Sequence, residues 1–112
     1  MNTREDLATA TTLAGVTNVA PYYRQSLRPG AGFVRIGPRT RAANGFGYVQ
    51  AWEVWIAIPD DIAAAEKWLD EHLTAITEAA ETAMVVTTVT PSELVLGSTT
   101  VSGVVIAGSI PA

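Results

Sequence analysis

Tyr48-Val49-Gln50-Ala51-Trp52-Glu53-Val54-Trp55-Ile56-Ala57-Ile58-Pro59-Asp60-Asp61 is the stretch from which the fold is read. Tyr48 to Ile58 alternates, with Tyr48, Gln50, Trp52, Val54, Ile56 and Ile58 on one face and Val49, Ala51, Glu53, Trp55 and Ala57 on the other, which is the period of a strand. Pro59 stops the strand, and the Asp60-Asp61 pair supplies an N-cap for a helix. From Ile62 to about Ala83, at about 100 degrees per residue, Ile62, Ala65, Trp68, Leu69, His72, Ile76, Ala80 and Ala83 share a stripe, while Glu66, Asp70, Thr74, Thr77 and Glu81 lie roughly opposite. One strand therefore feeds one long amphipathic helix.

Working backwards, Phe33 to Ile36 reads as a strand, and Gly37 to Gly47, with two turn signals and no periodicity, reads as a long Arg-rich hairpin loop. Loops longer than a connection requires often make contacts of their own. Further upstream, Thr3 and Asp6 form a capping-box-like start, and Leu7, Ala10, Leu13 and Ala14 share a helical face that Gly15 ends. Working forwards, Met84 to Thr90 and Glu93 to Leu96 are strand-like pieces around Pro91, which marks a bulge or an edge position. Gly97-Ser98 then turns into a last strand, Val101 to Ala107. The expected architecture is a single α+β domain over residues 1–112, in the order αββαββ. Its four-stranded mixed sheet has the order 1-2-4-3, with two helices mainly on one face, because a right-handed crossover through the long helix leaves a gap for the last strand.

The sheet face away from the helices is not polar in the sequence. Trp55 and Val49 point to it, and the last strand is apolar on both sides. A covered aromatic removes about 150 to 250 Å² from water, so such a face favours a cover. Either a neighbouring subunit supplies it, or the first helix or the stretch 16–27 wraps round.

The 112 residues carry six arginines, one lysine and eleven acids for a net charge of −4, with one histidine and no cysteine. Five of the arginines, Arg24, Arg28, Arg35, Arg39 and Arg41, fall between Tyr22 and Gln50 with no acid among them. Almost all carboxylates lie downstream. Opposite charge on separate segments favours oriented assembly with a copy or a partner. The absence of cysteine excludes disulfides, thiolate metal sites and thiol nucleophiles. A lone His72 on the apolar stripe reads as a structural residue, and no HExxH, glycine-rich phosphate loop or nucleophile-elbow spacing is present. No catalytic, cofactor-binding or metal-ligating residue is expected. Apolar runs are too short to span a bilayer and the start lacks a secretion signal, so no membrane partner is expected.

The arginine segment is interleaved with Tyr22, Tyr23, Phe33, Phe46 and Tyr48. That composition fits phosphate neutralisation and base stacking, so a small nucleic-acid-binding module using Arg24 to Arg41 is one alternative. Arginine is equally suited to bidentate pairing with carboxylates at protein interfaces, which the overall acidity favours. The candidate interface residues are Arg28, Arg35, Arg39, Arg41, Phe46, Trp55, Glu66, Asp70 and Glu71. Of these, Arg35, Arg39 and Arg41 are expected either to meet carboxylates such as Glu66, Asp70 or Glu71 across a subunit boundary or to reach a different protein partner.

Over nearly its whole length the chain resembles the tail terminator proteins of long-tailed bacteriophages, particularly those infecting actinobacteria. The resemblance lies in Met1-Asn2-Thr3-Arg4-Glu5-Asp6-Leu7 and in Trp52-Glu53-Val54-Trp55-Ile56 leading through Pro59-Asp60-Asp61 into Ala65-Glu66-Lys67-Trp68-Leu69-Asp70. Val89-Thr90-Pro91 before the final hairpin completes it. It implies a homo-oligomeric ring, usually of six copies, that seats on the tail tube, stops its polymerisation and offers a docking surface to the head connector. Genomic DNA would pass through the lumen without specific binding, and the protein would reside at the tail-neck junction after assembly in the host cytoplasm. A head-to-tail connector or stopper ring of the same neck is the nearest alternative.

Overall fold

The computed structural model describes residues 3–23 and 28–111. Its elements are α1 (Thr3–Thr11), β1 (Asn18–Ala20), β2 (Ala31–Arg41), β3 (Tyr48–Ala57), α2 (Ile62–Glu81), β4 (Val85–Leu96) and β5 (Thr99–Pro111). They form one five-stranded sheet in the order β1-β2-β3-β5-β4, which corrects the expected four strands. The added strand, β1, runs parallel to β2 with Asn18 opposite Ala31 and Ala20 opposite Phe33, whereas every other pairing is antiparallel. After α2 crosses over, β5 lies between β3 and β4.

Three residues are too few for any alternation to show in the sequence; tertiary hydrogen bonds define β1 instead. The α1 helix ends at Thr11, earlier than the Gly15 stop expected, because its threonines turn to local partners. The Thr11 and Thr12 hydroxyls donate to the carbonyls of Leu7 and Ala8, and Thr17 Oγ1 accepts from Leu13 N at 2.7 Å. Thr12 Oγ1 also accepts from Val19 N at 3.0 Å, which ties the helix end to β1. Where β1 runs out, Arg4 takes over. Its Nη1 donates to the carbonyls of Pro21 and Val34 at 3.0 and 2.9 Å, and its guanidinium sits 4.8 Å from the Tyr22 ring centroid and 5.3 Å from that of Trp52. A rigid planar cation that donates and stacks at once is what closes this sheet edge.

The segment 37–47, expected as loop, is strand as far as Arg41, and only residues 42–47 turn. Pairing slips between Ile36 and Arg39, at Gly37-Pro38, so a β-bulge accommodates the proline that looked like a turn signal. Pro91 is likewise accommodated within β4, an outer strand that carries its own bulge between Val86 and Thr88. Pro38 in the part of β2 that β1 leaves uncovered, and Pro91 with the bulge in β4, blunt those stretches against strand addition by another chain.

Between the sheet and the helices lies the larger core, in which Leu7, Val34, Val54, Ile56, Ile76, Val104 and Ile106 are all at or below 1% exposure. α2 is capped by Asp61, whose carboxylate accepts from Ala64 N at 2.9 Å. Its C-terminal half is the buried half, through Ile76 and Ala80; Ile62, expected on the apolar stripe, is 78% exposed. On the far face a second cluster gathers Phe33, Ala57, Leu94 and Leu96, with Trp55, Val101 and Val105 packed against it. Tyr23 sets its ring edge-on to Phe33 at 5.2 Å, and Trp55 lies 5.5 Å from Phe33 on the other side. The far face is thus partly covered by the chain itself, from the stretch after β1.

Candidate functional site

β3 leaves the β2–β3 hairpin at one end of the sheet and delivers the chain to α2 at the other, so the two charged regions are held apart by its length. Ten strand residues at about 3.3 Å each separate them by roughly 30 Å. Arg39 and Arg41 lead into the turn at one end, and the first turns of α2, which carry Glu66 and Asp70, lie toward the other, while Glu78 and Glu81 sit on its last turns.

At the cationic end, residues 42–47 form a compact tip. Ala42 N donates to Gly47 O at 3.2 Å, Gly45 N to Ala42 O at 2.9 Å, and Phe46 N to Asn44 Oδ1 at 2.9 Å, the last an Asx-type turn. Gly45 and Gly47 take φ of +79 and +72, which a side chain would strain, and between them Phe46 projects 82% exposed. Arg41 Nη2 donates to Tyr48 Oη at 3.0 Å with its guanidinium 4.8 Å from the Tyr48 ring centroid. Arg39 Nε donates to Gln50 Oε1 at 2.9 Å. Gln50 is itself buried and returns its amide to the carbonyls of Gly37 and Ala51 at 2.8 and 2.9 Å, which pins the bulge. Both arginines are thereby aimed without being neutralised.

Arg35 is elsewhere. It pairs across from Glu53, whereas Arg39 and Arg41 pair across from Gln50 and Tyr48, and the intervening bulge places Arg35 on the far face. There its guanidinium lies 4.6 Å from the Trp55 ring centroid, while Trp55 Nε1 donates to Glu53 Oε1 at 3.0 Å. The candidate set Arg35, Arg39 and Arg41 is therefore not one cluster. Arg28 is exposed ahead of β2, and Arg24 lies outside the described residues.

At the opposite end a groove of about 570 Å³ opens between the first half of α2 and the β4–β5 pair. Its floor is apolar, with Ile58, Ala65, Leu69 and Leu73, and Asp60, Glu66, Asp70 and Glu93 stand around it. Gly103 belongs to the same wall; a Cβ there would collide with the Leu94 side chain and come within 2.9 Å of Ile56 O, so nothing larger than glycine lets β5 pass at this depth. Asp60 Oδ1 accepts from Ser102 N at 3.4 Å, which draws the β3–α2 connection toward β5. Glu71, the third acid in the candidate set, is not in the groove. It lies 4.0 Å from Lys67 Nζ and 3.7 Å from His72 Nε2, and His72 stacks edge-on against Trp68 at 5.0 Å. Among the described residues, neither Arg28, Arg35, Arg39 nor Arg41 is in an ion pair with a carboxylate.

The groove escaped the sequence because it is assembled from a helix flank, the β3–α2 connection and a hairpin some thirty residues further on. Ile62 was the available signal. A large apolar residue in the first turn of a capped helix joins the core stripe by periodicity, but at the helix end it overhangs the sheet and edges the groove. Among the described residues no three metal-ligating side chains converge, and no helix is long and apolar enough to cross a membrane. Compared with protein-family models and with curated proteins, the chain has no match among either.

Proposed function

We propose that this chain is a structural virion protein, a ring-forming tail terminator that caps the tail tube, stops its polymerisation and docks the head connector. The reading rests on the sequence resemblance together with one observation: among the described residues, Arg39 and Arg41 stand without an ionic partner at the hairpin end, and Asp60, Glu66, Asp70 and Glu93 stand without one around the groove at the other. A subunit with two different, mutually complementary ends associates head to tail, and such contacts close into rings when the rotation permits.

The division of the arginines by the bulge weakens the nucleic-acid alternative. Arg35 is stacked on Trp55 on one face and Arg39 and Arg41 face the other, so the segment forms no continuous track for a phosphate backbone. Electron microscopy tests the terminator reading directly. Purified chain mixed with the tail-tube protein encoded by the same genome is expected to give annular particles seated on one end of tubes of bounded length. Tubes that elongate unchanged, with no density at either end, would overturn it; rings that form but bind no tube would assign the chain to a connector or stopper instead.

A further inference from the structure

We infer that the occupant of the acidic groove is the β2–β3 hairpin tip of a second copy of this chain, with Phe46 inserted on the groove floor and Arg39 and Arg41 set against Glu66 and Asp70. The inference deepens the ring reading and rests on it. Four observations carry it. Phe46 is the most exposed large apolar side chain described, at 82%, and two left-handed glycines hold it at the tip of a hairpin rather than against any neighbour. The groove offers an apolar floor that its own chain leaves uncovered, edged by Ile62 at 78% exposure. Charge is matched, because the arginines nearest the tip and the acids around the groove have no ionic partner of opposite sign within the described residues.

The fourth observation excludes self-closure. Tip and groove stand at opposite ends of β3, roughly 30 Å apart on ten strand residues, so one molecule's tip reaches only another's groove. Both lie toward the helix-bearing face, since Arg39 and Arg41 pair beside Gln50 in the row that continues through Trp52, Val54 and Ile56 into the larger core. A head-to-tail approach therefore presents them without turning a subunit over. An aromatic anchor in an apolar pocket, ringed by complementary charge, is the usual anatomy of an interface centre. Strand addition is the less favoured joint, because Pro38 interrupts β2 where β1 no longer covers it and Pro91 and a bulge interrupt β4.

The chain has no cysteine, so engineered thiols report the contact without background. An Ala43→Cys, Ala65→Cys double variant, which keeps Phe46, oxidised at low salt and run on a denaturing gel, is expected to give a ladder of covalent oligomers. Each single variant should give no species beyond a dimer. Phe46→Ala is expected to raise the concentration at which assembly begins by at least about tenfold, with Phe46→Leu close to the parent. Sedimentation of the unmodified chain separates the two claims. If it assembles while the double variant gives no ladder and Phe46→Ala assembles like the parent, the hairpin-in-groove contact is wrong and the ring reading survives; a parent chain that stays monomeric throughout would remove both.

Discussion

Reversing either charged end alone is expected to abolish self-association, and mixing the two reversed chains is expected to restore it. Arg39→Glu with Arg41→Glu makes the tip acidic, so it meets an acidic groove; Glu66→Arg, Asp70→Arg and Glu93→Lys make the groove basic, so it meets a basic tip. Like charges brought together at an interface cost several kcal/mol, and losing a buried charge pair costs about 2–5 kcal/mol, which is a weakening of roughly thirtyfold to several thousandfold. Together the variants present an acidic tip to a basic groove and a basic tip to an acidic one, so they alternate around the circle. Alternation closes only for an even number of copies, which six satisfies. Glu66, Asp70 and Glu93 stand at the protein surface without ionic partners among the described residues, so their reversal leaves the fold intact. Arg39 also donates to buried Gln50, and losing that bond should lower the stability of the tip variant by about 1 kcal/mol. Failure of the mixture to assemble, with both chains folded by circular dichroism, would show that the ends do not recognise each other.

Phe33→Ala is expected to be the most damaging single truncation on the far face of the sheet. Phe33 is fully buried although it points away from both helices, held between the rings of Tyr23 and Trp55 beside Leu94 and Leu96. Emptying such a site costs about 3–5 kcal/mol, out of the roughly 5–15 kcal/mol that holds a domain of this size together. The melting temperature should fall by about 10–20 °C. Ile62→Ala truncates an aliphatic side chain that is 78% exposed and should leave the melting temperature almost unchanged. Equal melting temperatures for the Phe33 variant and the parent would mean that the far face contributes nothing to the core.

Much of the scaffold was legible because its signals are local. The alternation of β3, the proline stop and the Asp61 cap each act within a few residues, and the strands recognised beside β3 and α2 keep the neighbour order β2-β3-β5-β4. What was not legible depends on distant partners. β1 exists because Thr12 and the end of α1 hold it against β2, and nothing in Asn18-Val19-Ala20 announces that. Gly37-Pro38 reads as a turn in isolation; opposite β3 it becomes a bulge, because a strand with an unpaired outer side tolerates a residue that has no N–H to donate.

That bulge has the larger consequence for the candidate interface. Three arginines spaced two to four apart look like one patch in the sequence, yet the register slip between Ile36 and Arg39 puts Arg35 over Trp55 and leaves Arg39 and Arg41 with the tip. On the acidic side the separation is rotational. Glu66 and Asp70, four residues apart, share the flank that faces the groove, while Glu71 turns with Lys67 and His72 along a neighbouring one. Charge content was visible from composition, but which charges act together was decided by one slipped residue and one helical step.

Ionic attraction between separated ends is screened within about 10 Å at 0.1 M salt, so assembly built on it has a recognisable salt dependence. Native mass spectrometry of the unmodified chain across a salt series therefore reads out whether oppositely charged ends join the subunits. A discrete closed oligomer is expected at low salt, a whole multiple of the 11.8 kDa chain and sixfold for a ring of six, giving way to smaller species as salt rises. A single-chain mass at every salt and protein concentration would contradict it.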